Sequence, residues 1–104
     1  MDFVVIADHS PDNCPSANKK IRDQMNAGFP HLPEVAKKHG VEVTFVGIPI
    51  VQHKIFMVGK APNYESIRSV IVEAGIMQSN TVNIYPTVSF EEAMKQVNSM
   101  QPLF

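Results

Sequence analysis

Cysteine is nearly missing from this chain. A single residue, Cys14, among 104 excludes an internal disulfide. It points to a reduced, cytoplasmic setting. Charge is scarce as well. Only 18% of residues are charged, and nine Lys+Arg against ten Asp+Glu leave a net charge of -1. With no basic excess to hold a phosphate backbone, no nucleic-acid partner is expected. No apolar run approaches the ~20 residues of a membrane helix, so no membrane partner is expected either. The opening Met1-Asp2-Phe3-Val4-Val5-Ile6 has no basic stretch before its apolar residues, so no signal peptide is read there. The phosphate loops GxGxxG and GxxxxGK[ST] do not occur, nor do GxSxG, HExxH or CxxC. A nucleotide cradle, a hydrolase elbow and a zinc-protease helix are therefore unsupported. Linkers, repeats and low-complexity tracts are missing too. What remains is one domain, residues 1–104, with 44% apolar residues to form one core.

The patterning that is present names the elements. Phe3–Ala7 is an unbroken, β-branched apolar run, as in a central strand covered on both faces. Asp8-His9-Ser10-Pro11-Asp12-Asn13-Cys14-Pro15 is turn chemistry. Ala17, Ile21, Met25 and Phe29 recur every four residues and predict a helix, which Gly28 and Pro30 should interrupt. Lys19, Lys20 and Arg22 read as its solvated face. Pro33 can open a second helix, to Lys38, with Gly40 as a left-handed stop. Val41–Ile48 and Lys54–Gly59 read as strands. A helix opening at Ala61-Pro62-Asn63 carries the stripe Ile67, Val70, Ile71 and Ala74, and Gly75 caps it. Thr81–Thr87 is a fourth strand. Ser89-Phe90-Glu91-Glu92 is a capping box that starts a last helix reaching about Met100.

The order β-α-β-β-α-β plus a terminal helix predicts an α+β, ferredoxin-like fold with an antiparallel four-stranded sheet in the order 4-1-3-2. In that fold the helices cover one face only. Here the strands are apolar on both: Val4 and Ile6 against Phe3, Val5 and Ala7, and Ile55 and Met57 against Phe56 and Val58. The second face needs a cover. A homodimer packing sheet on sheet supplies one. The terminal helix with the tail Gln101-Pro102-Leu103-Phe104 is the rival cover, within one chain. Met25, Phe29, Phe45 and Met57 fall on core spacing.

In element order, length and two-faced sheet, the chain resembles the dimeric α/β-barrel superfamily. That group includes small haem-degrading and quinone-forming monooxygenases and muconolactone isomerase-like proteins. The resemblance covers the whole chain but carries no catalytic motif. It implies a cavity between sheet and helices, or within a barrel, and oxygenase or isomerase chemistry.

The topology itself gathers polar residues at one rim of the sheet. Asp8, His9, the Cys14 loop, His53 and the Gln78-Ser79-Asn80 approach all fall at the end where the first strand stops and the third and fourth begin. A thiol and two imidazoles suit a divalent metal, so His9, Cys14 and His53 are the candidate ligands. Cys14, just before a helix, is alternatively a nucleophile, with His9 as its base and Asp8 or Asp12 orienting the ring. His9 and His53 are the candidate proton carriers, and Cys14, Asn18 and Asn80 the candidate contacts to a small-molecule ligand. Each has a plain structural alternative: a polar strand end for His9, a small packed residue for Cys14, a solvated turn for His53. Two functions follow: a small-molecule-binding protein with enzymatic chemistry at the rim, or a non-catalytic metal- or ligand-responsive binding and assembly module.

Overall fold

The apolar run at the start of the chain becomes the strand on which the rest of the sheet is registered. The computed structural model describes residues 1–49 and 51–104. Strands β1 (Asp2–Asp8), β2 (Glu42–Gly47), β3 (Lys54–Lys60) and β4 (Thr81–Thr87) form one antiparallel sheet in the order β2-β3-β1-β4, as the sequence predicts. The helices are α1 (Lys19–Gly28), α2 (Leu32–Lys38), α3 (Tyr64–Glu73) and α4 (Phe90–Asn98). Short 3₁₀ turns at Pro11–Asn13, Phe29–His31 and Ile76–Gln78 connect them. Among the described residues no helix is long and apolar enough to cross a membrane.

Alternation along β1 sends Phe3, Val5 and Ala7 into the core, where Ile55 and Met57 of β3 meet them. The stripe Ile67, Val70, Ile71 of α3 packs on that face and is fully buried. Each such side chain contributes about 1.5–3 kcal/mol by leaving water. Caps stop and start the helices where the sequence places them. Asn63 Oδ1 accepts from the Ser66 N–H (2.9 Å), and Ser89 Oγ from the Glu92 N–H (3.1 Å). Among the described residues the Glu92 carboxylate makes no return bond to complete that box. Gly75, with φ 77°, takes the left-handed conformation that ends α3 and turns the chain toward β4. Gly28 has a different reason to be glycine. A Cβ there would stand 2.6 Å from the Ala74 carbonyl oxygen, so its absence lets α1 approach the end of α3.

The core placement of Phe45 fails. Phe45 is 57% exposed and lies on the open face of the sheet. Val43 pairs with Gly59 and Phe45 with Val58, so Thr44 is an extra residue in the ladder. This bulge reverses the alternation. The Thr44 hydroxyl, 3.1 Å from the Val58 carbonyl, donates into the gap.

Val4, Ile6, Phe56 and Val58 occupy the open face, as their parity requires. The terminal helix and tail do not cover it within the chain: Leu103 and Phe104 are fully exposed, and among the described residues α4 packs extensively on no other element.

Candidate metal centre

Register alone brings the rim residues together. Asp8 pairs with Lys54 on one side and with Thr81 on the other. One step further along each ladder sets His9 opposite His53 and Asn80. The backbone continues the pairing, since the His9 N–H donates to the His53 carbonyl at 3.1 Å. The two imidazoles meet edge to face with centroids 5.5 Å apart. The turn that delivers His53 is strained: Val51, a β-branched residue, sits at φ 65°.

Cys14 arrives from the β1–α1 loop. The Pro11–Asn13 turn closes on it, its N–H donating to the Pro11 carbonyl, and its own carbonyl accepts from Ala17 and Asn18. Arg22 then holds the loop in place. Its Nε donates to the Pro15 carbonyl (2.8 Å) and its Nη2 to that of Ser16 (3.1 Å). The result is a cluster in which one donor atom each from His9, Cys14 and His53 lies within 4.8 Å of the other two.

The protonation pattern suits a cation. His9 Nδ1 is 2.9 Å from Asn80 Oδ1. The Asn80 amide is oriented by its Nδ2, which donates to the Ile76 carbonyl (3.0 Å). Oδ1 therefore faces the ring as an acceptor, and neutral His9 carries its proton on Nδ1. That leaves the lone pair of Nε2 bare. Among the described residues, His9 Nε2 and His53 Nδ1 are both buried without a hydrogen-bond partner. The thiol is already prepared to ionise. The Ser16 hydroxyl (2.9 Å from Sγ) and the Ser16 N–H are the chief causes that lower its pKa to about 6, against the opposing effect of burial. Thiolate therefore predominates at neutral pH.

The cluster opens onto a cavity of about 210 Å³ between the sheet and its helices. Met25, Phe29, Ile55 and Ile76 make its apolar wall, and His9, Cys14 and Asn80 its polar edge. An apolar cavity of ~150 Å³ holds benzene, so this one has room for a single substituted ring. His53, in edge contact with His9, is not among the residues that line it.

The other candidates have other work. Asn18 is the N-cap of α1: its Oδ1 accepts from the Ile21 N–H (3.2 Å) and its Nδ2 donates to the Asp12 carbonyl (3.1 Å). It is no part of the cavity wall. Asp8 and Asp12 do not orient His9. Asp8 points to the open face and pairs with Lys54, and Asp12 is engaged by Ser10. Asn80 takes that role instead. Arg22 and Ser16 carry no motif that would have marked them, because each acts through the fold of a short loop.

No protein-family model matches the chain, and no curated protein matches it. Among solved structures, the de novo designed protein Ferredog-Diesel is similar with a TM-score of 0.50 at 10% identity, over 83% of this chain and 85% of that one. The fold is ferredoxin-like. A candidate transposase from Deinococcus radiodurans R1 aligns over 94% of this chain and 87% of its own, with a TM-score of 0.47 and 10% identity.

Proposed function

We propose that this chain binds a borderline or soft divalent cation through His9 Nε2, Cys14 Sγ and His53 Nδ1, and holds a small apolar organic molecule in the adjoining cavity. The observation that carries the reading is the pair of buried, unpartnered ring nitrogens converging on a thiolate. An orphaned buried acceptor costs about 1–3 kcal/mol. Two beside one thiolate are explained together if all three share a cation. The Asn80 contact is the outer-shell bond that metal-binding imidazoles commonly make, and it raises the basicity of the ligating nitrogen. Three protein ligands leave a fourth position of a tetrahedral ion open, the arrangement of reactive rather than structural zinc sites. A molecule in the cavity could take that position, or a bound water there could be activated. The similarity to the dimeric α/β-barrel superfamily supports the apolar-ligand half of this reading, and with it oxygenase or isomerase chemistry.

The thiolate favours a second reading, in which Cys14 is itself the nucleophile and His9 or His53 exchanges protons with the substrate. The same measurements separate the two. Metal-depleted protein is titrated with Zn²⁺ by calorimetry and with Co²⁺ by absorption. One equivalent of ion, with a thiolate-to-cobalt charge-transfer band lost in Cys14→Ser and sharply weakened affinity in His53→Ala, is the expected result. Failure of Zn²⁺, Co²⁺ and Cu⁺ to bind stoichiometrically would overturn the metal reading and leave the nucleophile.

A further inference from the structure

Among the described residues, two apolar surfaces have no element packed extensively against them. The first is the open face of the sheet, with Val4, Ile6, Phe56 and Val58 at its centre and Phe45 and Tyr85 beside them. Charged pairs close it at both ends, Asp2 opposite Lys60 and Asp8 opposite Lys54. The second is α4. Phe90, Ala93, Met94 and Val97 stand at i, i+3, i+4 and i+7, one stripe along the helix, and Phe90 is 81% exposed. Glu91, Glu92 and Lys95 lie off that stripe.

A helix of nine residues is too short to persist alone in water, so the stripe needs a counter-surface. Its own chain does not provide one. β4 is an edge strand, and only Val88 and Ser89 link it to α4. The helix leaves the sheet as an arm, giving overall dimensions of 53 × 33 × 19 Å. The radius of gyration is 16.1 Å, against ~13 Å for a compact chain of this length. The accessible surface is 7153 Å², against ~5,800 Å² for a compact 11.6 kDa monomer. The excess of ~1,300 Å² is more than the ~800 Å² that each partner gives to a standard stable interface.

We propose that α4 is an exchanged arm. In a two-fold dimer it lays Phe90, Met94 and Val97 across the open sheet face of a second copy, whose own α4 returns the contact. The fit is dimensional: nine helical residues span ~13.5 Å, and four strands are ~14 Å across. It is chemical as well. The face has an apolar centre and a charged rim of both signs, as an interface does. The acidic first turn of α4 (Glu91, Glu92) and Lys95 in its last turn can each find an opposite charge there. Reciprocal exchange about a two-fold axis uses both surfaces of each copy, so the assembly closes as a dimer and does not propagate.

Light scattering on the full chain is expected to give twice the 11.6 kDa monomer mass. A chain ending at Thr87, and a Phe90→Glu/Val97→Glu variant, are expected to be monomers with the circular dichroism of a folded sheet. A benzophenone side chain in place of Met94, in protein co-refolded from ¹⁴N and ¹⁵N pools, is expected to crosslink to β1 or β3 in mixed-isotope products. A monomeric full chain, a truncated chain that stays dimeric, crosslinks confined to one isotope, or crosslinks to α2 in place of the sheet would each overturn the proposal. If both variants unfold, the crosslinks alone decide.

Discussion

Removing the Asn80 side chain is the most informative perturbation of the candidate metal centre. Asn80 touches His9 and the Ile76 carbonyl, at 2.9 and 3.0 Å, and is not itself a proposed metal ligand. In Asn80→Ala both bonds vanish. At ~0.5–1.5 kcal/mol each, the metal-free protein should lose ~1–3 kcal/mol. A domain of this size melts ~4–8 °C lower per kcal/mol. The ion should suffer separately. With no acceptor at Nδ1, the neutral ring is free to move its proton to Nε2, the nitrogen that must bind. Loss of such an outer-shell partner weakens metal affinity ~10–100-fold. Asn80→Asp separates the two effects. Its carboxylate still accepts from His9 but cannot donate to Ile76, so stability should fall while zinc affinity is largely kept. Calorimetric zinc titration measures affinity, and ¹⁵N imidazole NMR reads the tautomer directly. A wild-type His9 protonated on Nε2, or an Asn80→Ala variant with unchanged tautomer and unchanged affinity, would refute the reasoning.

Other outcomes follow from the same contacts. In metal-free protein the rate of Cys14 alkylation should rise with pH through a midpoint near 6, and Ser16→Ala should move that midpoint upward. Because the folded pKa lies below the unfolded one, Cys14 contributes stability that is complete above the unfolded thiol value and lost as pH falls through about 6. Denaturant melts of wild type against Cys14→Ala between pH 5 and 9 should show that difference, and parallel curves would contradict it. Asn18→Ala should cost about 1 kcal/mol, the usual worth of an N-cap, and leave zinc affinity unchanged; a large loss of affinity in calorimetry would make Asn18 part of the site after all. Gly59→Ala should destabilise by roughly 3 kcal/mol or more in urea, because the new methyl would collide with the Glu42 carbonyl and the Phe3 ring.

Much of this was legible in the sequence, and the reason is register. Alternation in β1 and β3 assigns each residue to a face, and antiparallel pairing then fixes what stands beyond the last pair. His9, His53 and Asn80 needed nothing more to meet. The same parity could have removed Asp8 from the list of partners for His9, since Asp8 shares its face with Val4 and Ile6. Phe45 was not legible. A single extra residue, Thr44, reverses the face of everything after it in that strand, and no turn residue announces it. The approach of Cys14 was legible only as a neighbourhood. Its position depends on Arg22 bonding two loop carbonyls, and in sequence Arg22 is one of three cations in the first turn of a helix.

The proposed centre also has an energetic logic. His9, His53 and Asn80 lie one step outside the strand ladders, where side chains can be chosen without weakening the pairing of the sheet. Yet the choice made there is expensive for a domain of about 5–15 kcal/mol total stability. Two ring nitrogens are buried unpaired, and a β-branched residue takes a left-handed turn beside one of them. Strain and unsatisfied polarity meet at one point, while among the described residues the core is otherwise free of buried polar side chains, and that contrast supports the proposed site. A cation seated on the thiolate would satisfy both nitrogens at once, and its binding energy would appear as folding stability by mass action. A filled site should therefore melt higher than an empty one by an amount that grows with the logarithm of free metal concentration.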